Sequence, residues 1–175
     1  MNFAELGLNA ELQSSAAQAG FTAPTPVQIE AIGPVLKGRD VLATAQTGSG
    51  KTAAYVLPLL QLLMAVTAPR DDAPKKRTTQ VLVLVPTREL ATQVSDVLRD
   101  LARPLTQSIK VGTVFGGVSI NPQMMSLRSG ADVVVATPGR LLDLVDHNAL
   151  NLGQVQHLVL DEADRLLDLG FAEEL

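Results

Sequence analysis

The 175-residue chain has no cysteine and no tryptophan. Without cysteine, disulfide cross-links and thiolate zinc sites are excluded, and two histidines, His147 and His157, are too few to make a metal site by themselves. Aromatic residues amount to 3%, which argues against a platform on which successive bases would stack. Basic residues are also scarce: 14 Lys and Arg against 18 Asp and Glu leave a net charge of −4. A broad basic surface for nucleic acid is thereby ruled out, and any such contact has to come from a few placed groups. The longest apolar stretch, residues 53–66, is interrupted by Pro58 and Gln61 and falls short of the roughly 20 residues that a bilayer span needs. The opening Met1-Asn2-Phe3-Ala4-Glu5 lacks the basic-then-apolar pattern of a signal peptide. A cytoplasmic location with no membrane partner is expected.

What remains is 46% apolar residues with 18% charged, enough for one compact domain with a sizeable core. Short runs rich in Val and Leu at residues 40–44, 80–85, 110–114, 132–136 and 157–160 are apolar on successive positions, the pattern of strands buried on both faces. Helical stretches at 51–66, 88–102, 119–128 and 138–148 separate them. Two more helices are predicted ahead of the first strand, at 9–19 and 26–37. Alternation of this kind implies a mostly parallel sheet with helices on both sides, an α/β fold. Residues 69–79, with Lys75-Lys76-Arg77, read as a solvated polar loop. No repeat or low-complexity segment is visible.

Ala45-Gln46-Thr47-Gly48-Ser49-Gly50-Lys51-Thr52 directly follows a predicted strand and opens a long helix. That is the setting in which a phosphate-binding loop is credible. Glycines let successive N–H groups turn inward as an anion nest, and the helix behind adds the positive end of its dipole. Lys51 would supply a point charge for the β- and γ-phosphates and Thr52 a hydroxyl for Mg²⁺. Ala45 stands where the pattern has glycine, which is compatible with a negative φ. A glycine-rich turn without a ligand would look similar, but its length and placement favour phosphate.

The run 157–160 leads into Asp161-Glu162-Ala163-Asp164. An acid at the end of an apolar strand near a phosphate loop suits Mg²⁺, and Asp161 fits. Glu162 points elsewhere and is the candidate to orient and deprotonate an attacking water. Acids capping the following helix are the plainer alternative.

Those residues together resemble the DEAD-box RNA helicases. Asp161-Glu162-Ala163-Asp164 is the naming tetrad, and the other motifs follow in the family's order. Gly20-Phe21-Thr22-Ala23-Pro24-Thr25-Pro26-Val27-Gln28 looks like the Q motif, with Phe3 as the isolated upstream aromatic. Pro86-Thr87-Arg88-Glu89-Leu90-Ala91 looks like motif Ia, Gly116-Gly117 like the glycine doublet and Thr137-Pro138-Gly139-Arg140 like motif Ib. Residues 115–125 most resemble the bacterial RhlE-type members. The resemblance implies a P-loop (RecA-like) three-layer domain over residues 39–175, preceded by helices with the Q motif over 1–38. It also implies ATP or ADP with Mg²⁺ as ligands. Gln28 would bond the adenine edge, Phe3 would pack on its face and Ala23 would line the site, while RNA would lie on the other motifs.

Pro86-Thr87, Gly116-Gly117 and Thr137-Pro138-Gly139 each fall where a strand ends and a helix begins. In a parallel sheet such points share one edge, and helix N-termini bind phosphate without a basic surface. Arg88 and Arg140 add a charge at two of them. Singly, each is ordinary helix capping. Jointly, they lead us to expect RNA binding through the backbone, with little sequence preference.

The family's motif III, Ser-Ala-Thr, and its second helicase domain lie outside these 175 residues, so the sheet is expected to be truncated before the motif III strand. A central gap would then separate the strand before the phosphate loop from the strand before the tetrad. Isolated, the chain is expected to bind nucleotide and hydrolyse it very slowly, since transition-state arginines come from the missing domain. A GTPase is disfavoured because no Asn-Lys-x-Asp stretch occurs. A DNA translocase and a non-catalytic RNA clamp stay open as alternatives.

Overall fold

The computed structural model describes residues 1–46, 48–66 and 77–171. Thr47 and most of the predicted polar loop, residues 69–76, lie outside the described residues. The chain divides into two compact units, Met1–Asp71 with Val97–Ser108, and Asp72–Asp96 with Ile109–Leu175.

The first unit is helical. It contains α1 (Ala10–Gln18), α2 (Pro26–Leu36), α3 (Lys51–Val66) and the second half of α4 (Arg88–Ala102). Asn9 starts α1 as its N-cap, its side chain accepting from Leu12 N–H at 2.9 Å. Thr25 and Pro26 start α2, where the missing proline N–H is one that no helix could have paired. Leu12, Ile32, Val56, Leu57, Leu60, Leu98 and Leu101 are fully buried in this unit, each leucine worth roughly 1.5–3 kcal/mol of transfer free energy. Gln61, which interrupts the apolar run of α3, makes two bonds to the N-terminal turn. Its amide accepts from Asn9 N–H at 2.8 Å and donates to Gly7 carbonyl at 2.9 Å. These fasten that turn to α3.

The second unit holds the sheet. Strands β1 (Val81–Leu84), β2 (Val111–Val114), β3 (Val133–Ala136) and β4 (His157–Leu160) are all parallel, in the order β2-β3-β1-β4. Helices α5 (Ile120–Leu127), α6 (Pro138–Asp146) and the short α7 (Ala163–Asp168) alternate with them. Leu82, Leu84, Val114, Val134 and Ala136 share one core with Leu127, Leu141, Leu144 and Leu166 from these helices. No helix among the described residues is long and apolar enough to cross a membrane.

Two expectations need correction. Residues 40–44 form no strand, and Val41 and Leu42 are 41% and 94% exposed. An extended segment becomes a strand only by pairing its N–H and C=O groups with a neighbour, and none of the described residues supplies one. Secondly, only β1 and β3 are buried on both faces; β2 and β4 alternate between more and less buried positions. They are the outer strands of the four, and on β4 Leu158 and Leu160 stay 56% and 41% exposed. An apolar run cannot by itself distinguish a central strand from an outer one.

Candidate functional site

The glycine-rich loop belongs to the first unit. Gly48 and Gly50 have φ of 78° and 90°, in the left-handed region that favours glycine. Ala45 is not among the residues with positive φ, which satisfies the condition its replacement of glycine imposed. The Ser49 hydroxyl is buried without a partner among the described residues. Buried polar atoms are rarely left so, which marks the spot as one where a hydrogen-bonding group fits. Lys51 crosses the loop, its Nζ donating to Ala45 carbonyl at 2.7 Å. Thr52 sits half-buried in the first turn of α3, while Gln46 is exposed.

Gln28 is completely buried and clips this loop to α2. Its Oε1 accepts from Thr25 N–H at 3.0 Å and its Nε2 donates to Gly50 carbonyl at 3.1 Å. A Cβ on Gly50 would sit 2.5 Å from that Nε2 and push the amide aside. A primary amide has four hydrogen-bonding capacities, and Gln28 uses two of them here. Phe3 is buried, 7% exposed, and Ala23 is exposed.

The remaining predicted residues belong to the second unit, where register sets them in a row. Val114, Ala136, Leu84 and Leu160 stand at the same level on four parallel strands, about 4.8 Å apart from one to the next. The chain leaves each of these points into a segment that the sequence marks as a candidate. In sheet order these are Gly116-Gly117, Thr137-Pro138-Gly139, Pro86-Thr87-Arg88 and Asp161-Glu162.

Their local geometries differ. Thr87 Oγ1 accepts from Leu90 N–H at 3.2 Å and so caps α4. Thr137 has the extended backbone of an N-cap, yet its side chain makes no capping bond. Arg88 is exposed and pairs with Glu89 at 3.1 Å. The Glu89 carboxyl is held below the ordinary glutamate value by a backbone N–H at this helix start and, next, by Arg88. Arg140, by contrast, is buried, and its Nη2 donates to Val118 carbonyl at 2.8 Å.

Asp161 extends the ladder, its N–H donating to Leu84 carbonyl at 3.0 Å, and its Oδ1 accepts from Glu162 N–H at 3.0 Å. Glu162 then takes φ 51° and ψ 50°, a left-handed conformation costing an L-residue roughly 1–2 kcal/mol. It is the N-cap of α7 but makes no side-chain capping bond; the carboxylate instead faces Arg165 at 3.3 Å. Helix capping therefore does not account for this acid, and strained residues of this kind cluster at functional sites.

Gln123 lies within the 115–125 stretch, but the motifs assign it no role of its own. Its side-chain amide bonds both the N–H and the carbonyl of Phe115, each at 3.0 Å. One glutamine inside a helix carries no sequence signal of such a contact.

In the second unit, an α/β arrangement, the candidate residues gather where the parallel strands end. A family profile described as "DEAD/DEAH box helicase" matches residues 25–175. The chain belongs to that family. It is 45% identical to the DEAD-box ATP-dependent RNA helicase CshA of Streptococcus pneumoniae, over all of this chain and 31% of the relative. It is 44% identical to the ATP-dependent RNA helicase DeaD of Escherichia coli, over 99% of this chain and 26% of that one. The chain thus spans between a quarter and a third of these relatives' length. The crystal structure of a DEAD box protein from Methanococcus jannaschii superposes with a TM-score of 0.85 at 36% identity, covering 99% of this chain and 45% of the other. The fold is the RecA-like α/β fold of that structure.

Proposed function

We propose that this chain is the ATP-binding half of an ATP-dependent RNA helicase, taking Mg-ATP or Mg-ADP at residues 45–52 and the RNA backbone along the strand ends of the second unit. In the full-length protein, hydrolysis is coupled to RNA strand separation together with a second helicase domain. The observation that carries this reading is the order along one sheet edge, with three helix-starting loops followed by Asp161-Glu162. Helix starts suit phosphates, and the acids suit hydrolysis.

On the nucleotide side, the amides of 48–52 and the Ser49 hydroxyl receive phosphate oxygens, and Lys51 exchanges the Ala45 carbonyl for the β- and γ-phosphates. Ala45, Gln46 and Thr47 complete the loop. Gln28, with two spare hydrogen-bonding capacities, reads the adenine edge beside Ala23, and Phe3 packs on the base. Both Gln28 and Phe3 are buried without nucleotide, so this contact requires them to be uncovered on binding. Thr52 and Asp161 are hard oxygen donors of the kind Mg²⁺ accepts, directly or through water. When bound, the metal neutralises charge on the transferring phosphoryl group. Glu162 holds and deprotonates the attacking water.

On the RNA side, Thr87, Arg88, Gly116, Gly117, Thr137 and Gly139 present amides, hydroxyls and one exposed guanidinium to sugar and phosphate, while Pro86 and Pro138, buried and without an N–H, shape the turns that carry them. Such contacts position the strand without reading bases. Titrating the full-length protein with single-stranded RNAs of unrelated sequence tests this. Arg88→Ala is expected to weaken binding about tenfold for every sequence and to lower the salt slope by roughly 0.7 to 1. Losses confined to certain sequences, or no loss, would contradict it.

A further inference from the structure

We propose that Gln123 and Arg140 are positioning residues of the RNA cradle, fixing the loop between β2 and α5 at both ends and tying it to the start of α6. The inference rests on the RNA reading above and adds what holds its glycine doublet in shape.

Gln123 clamps one end. Only 9% exposed, it pairs its amide with both backbone groups of Phe115. Arg140 holds the other end. Its side chain is 8% exposed, Nη2 donates to the Val118 carbonyl at 2.8 Å, and Nε lies 3.4 Å from Asp143 Oδ2. That last contact is within ion-pair range without hydrogen-bond alignment, and Nη1 is buried with no partner among the described residues. Between the two anchors lie Gly116 and Gly117, both exposed.

The glycines are not demanded by crowding. A Cβ at Gly116, Gly117 or Gly139 would meet nothing within 4 Å, and only Gly117, with φ 78°, needs glycine for its backbone. Gly139 sits in the first turn of α6, where alanine would favour the helix more. Bare backbone in open space, on a loop braced from behind, suits close approach by another molecule's backbone. Because Arg140 belongs to α6 and holds Val118, it fixes the spacing between the doublet and the 137–139 turn. Its buried guanidinium acts through that loop rather than as an exposed phosphate ligand, which revises the contact expected from sequence.

Two substitutions separate positioning from contact. Gln123→Leu removes the clamp without touching charge, and Arg140→Lys keeps the charge while losing the planar set of donors. In the full-length protein, binding of oligo-uridine is followed by fluorescence anisotropy at several salt concentrations. Each variant is expected to bind about five- to tenfold more weakly, with the slope of log affinity against log salt unchanged. Amide resonances of Gly116 and Gly117 are expected to shift in both variants without RNA. A direct phosphate contact predicts instead that Arg140→Lys preserves affinity and that Arg140→Gln lowers the slope by about 0.7; that result would overturn the assignment for Arg140. Wild-type affinity from Gln123→Leu with unmoved Gly116 and Gly117 resonances would overturn it for Gln123. If a variant fails to fold, the free-protein resonances of Gln123→Glu, which retains the acceptor and loses the donor, decide the same point. Wild-type protein that binds no RNA would refute the underlying reading rather than the loop's bracing.

Discussion

Glu162→Gln in the full-length protein is expected to lower RNA-stimulated ATP hydrolysis by about 10²–10⁴-fold while leaving ATP affinity nearly intact. The magnitude is that of losing a positioned general base. The substitution is nearly isosteric, so the left-handed backbone at 162 and an acceptor toward Arg165 both persist. What disappears is the capacity to take a proton. The structure weakens the plainer explanation of this acid, because Glu162 occupies an N-cap without using its side chain as a cap. Steady-state phosphate release together with equilibrium binding of fluorescent ATP separates the two effects. A variant that hydrolyses ATP at the wild-type rate would remove Glu162 from the chemistry and favour a clamp that uses ATP as a lock.

Lys51→Ala is expected to act on binding and chemistry together. Nucleotide affinity should fall roughly 10- to 100-fold, the value of a charge-assisted hydrogen bond, and turnover by about 10²–10³-fold, as when one preorganised donor to a developing charge is removed. Folding stability should change little, since Lys51 is half-buried and its bond to Ala45 carbonyl contributes only about 1 kcal/mol. Lys51→Arg should rescue poorly, because a planar fork does not replace a compact charge on a flexible stem. Calorimetric titration with Mg-ADP measures the first effect and phosphate release the second; unchanged affinity in Lys51→Ala would remove the loop from nucleotide binding.

The elements were legible where periodicity and punctuation agreed. Residues 51–66 and 157–160 are helix and strand with the bounds read from sequence, because a glycine-rich turn opens the one and acids close the other. Residues 40–44 have strand composition but no partner among the described residues, and pairing is a tertiary property that composition does not encode. The outer positions of β2 and β4 were illegible for the same reason. At the candidate site, motifs named the loops and acids, yet the geometry added three things. Gln28 spends part of its amide on Gly50, Arg140 is buried against Val118, and Glu162 is in a left-handed conformation. Each depends on contacts across the fold or on backbone torsion, neither of which shows in residue order.

A crystal structure of the full-length protein with Mg²⁺ and a non-hydrolysable ATP analogue would show where the nucleotide and metal sit. Phosphate oxygens are expected within hydrogen-bonding distance of the amides of 48–52 and of Lys51 Nζ, with Asp161 reaching the metal directly or through one water. An analogue bound elsewhere, or a metal that Asp161 does not approach, would contradict this placement.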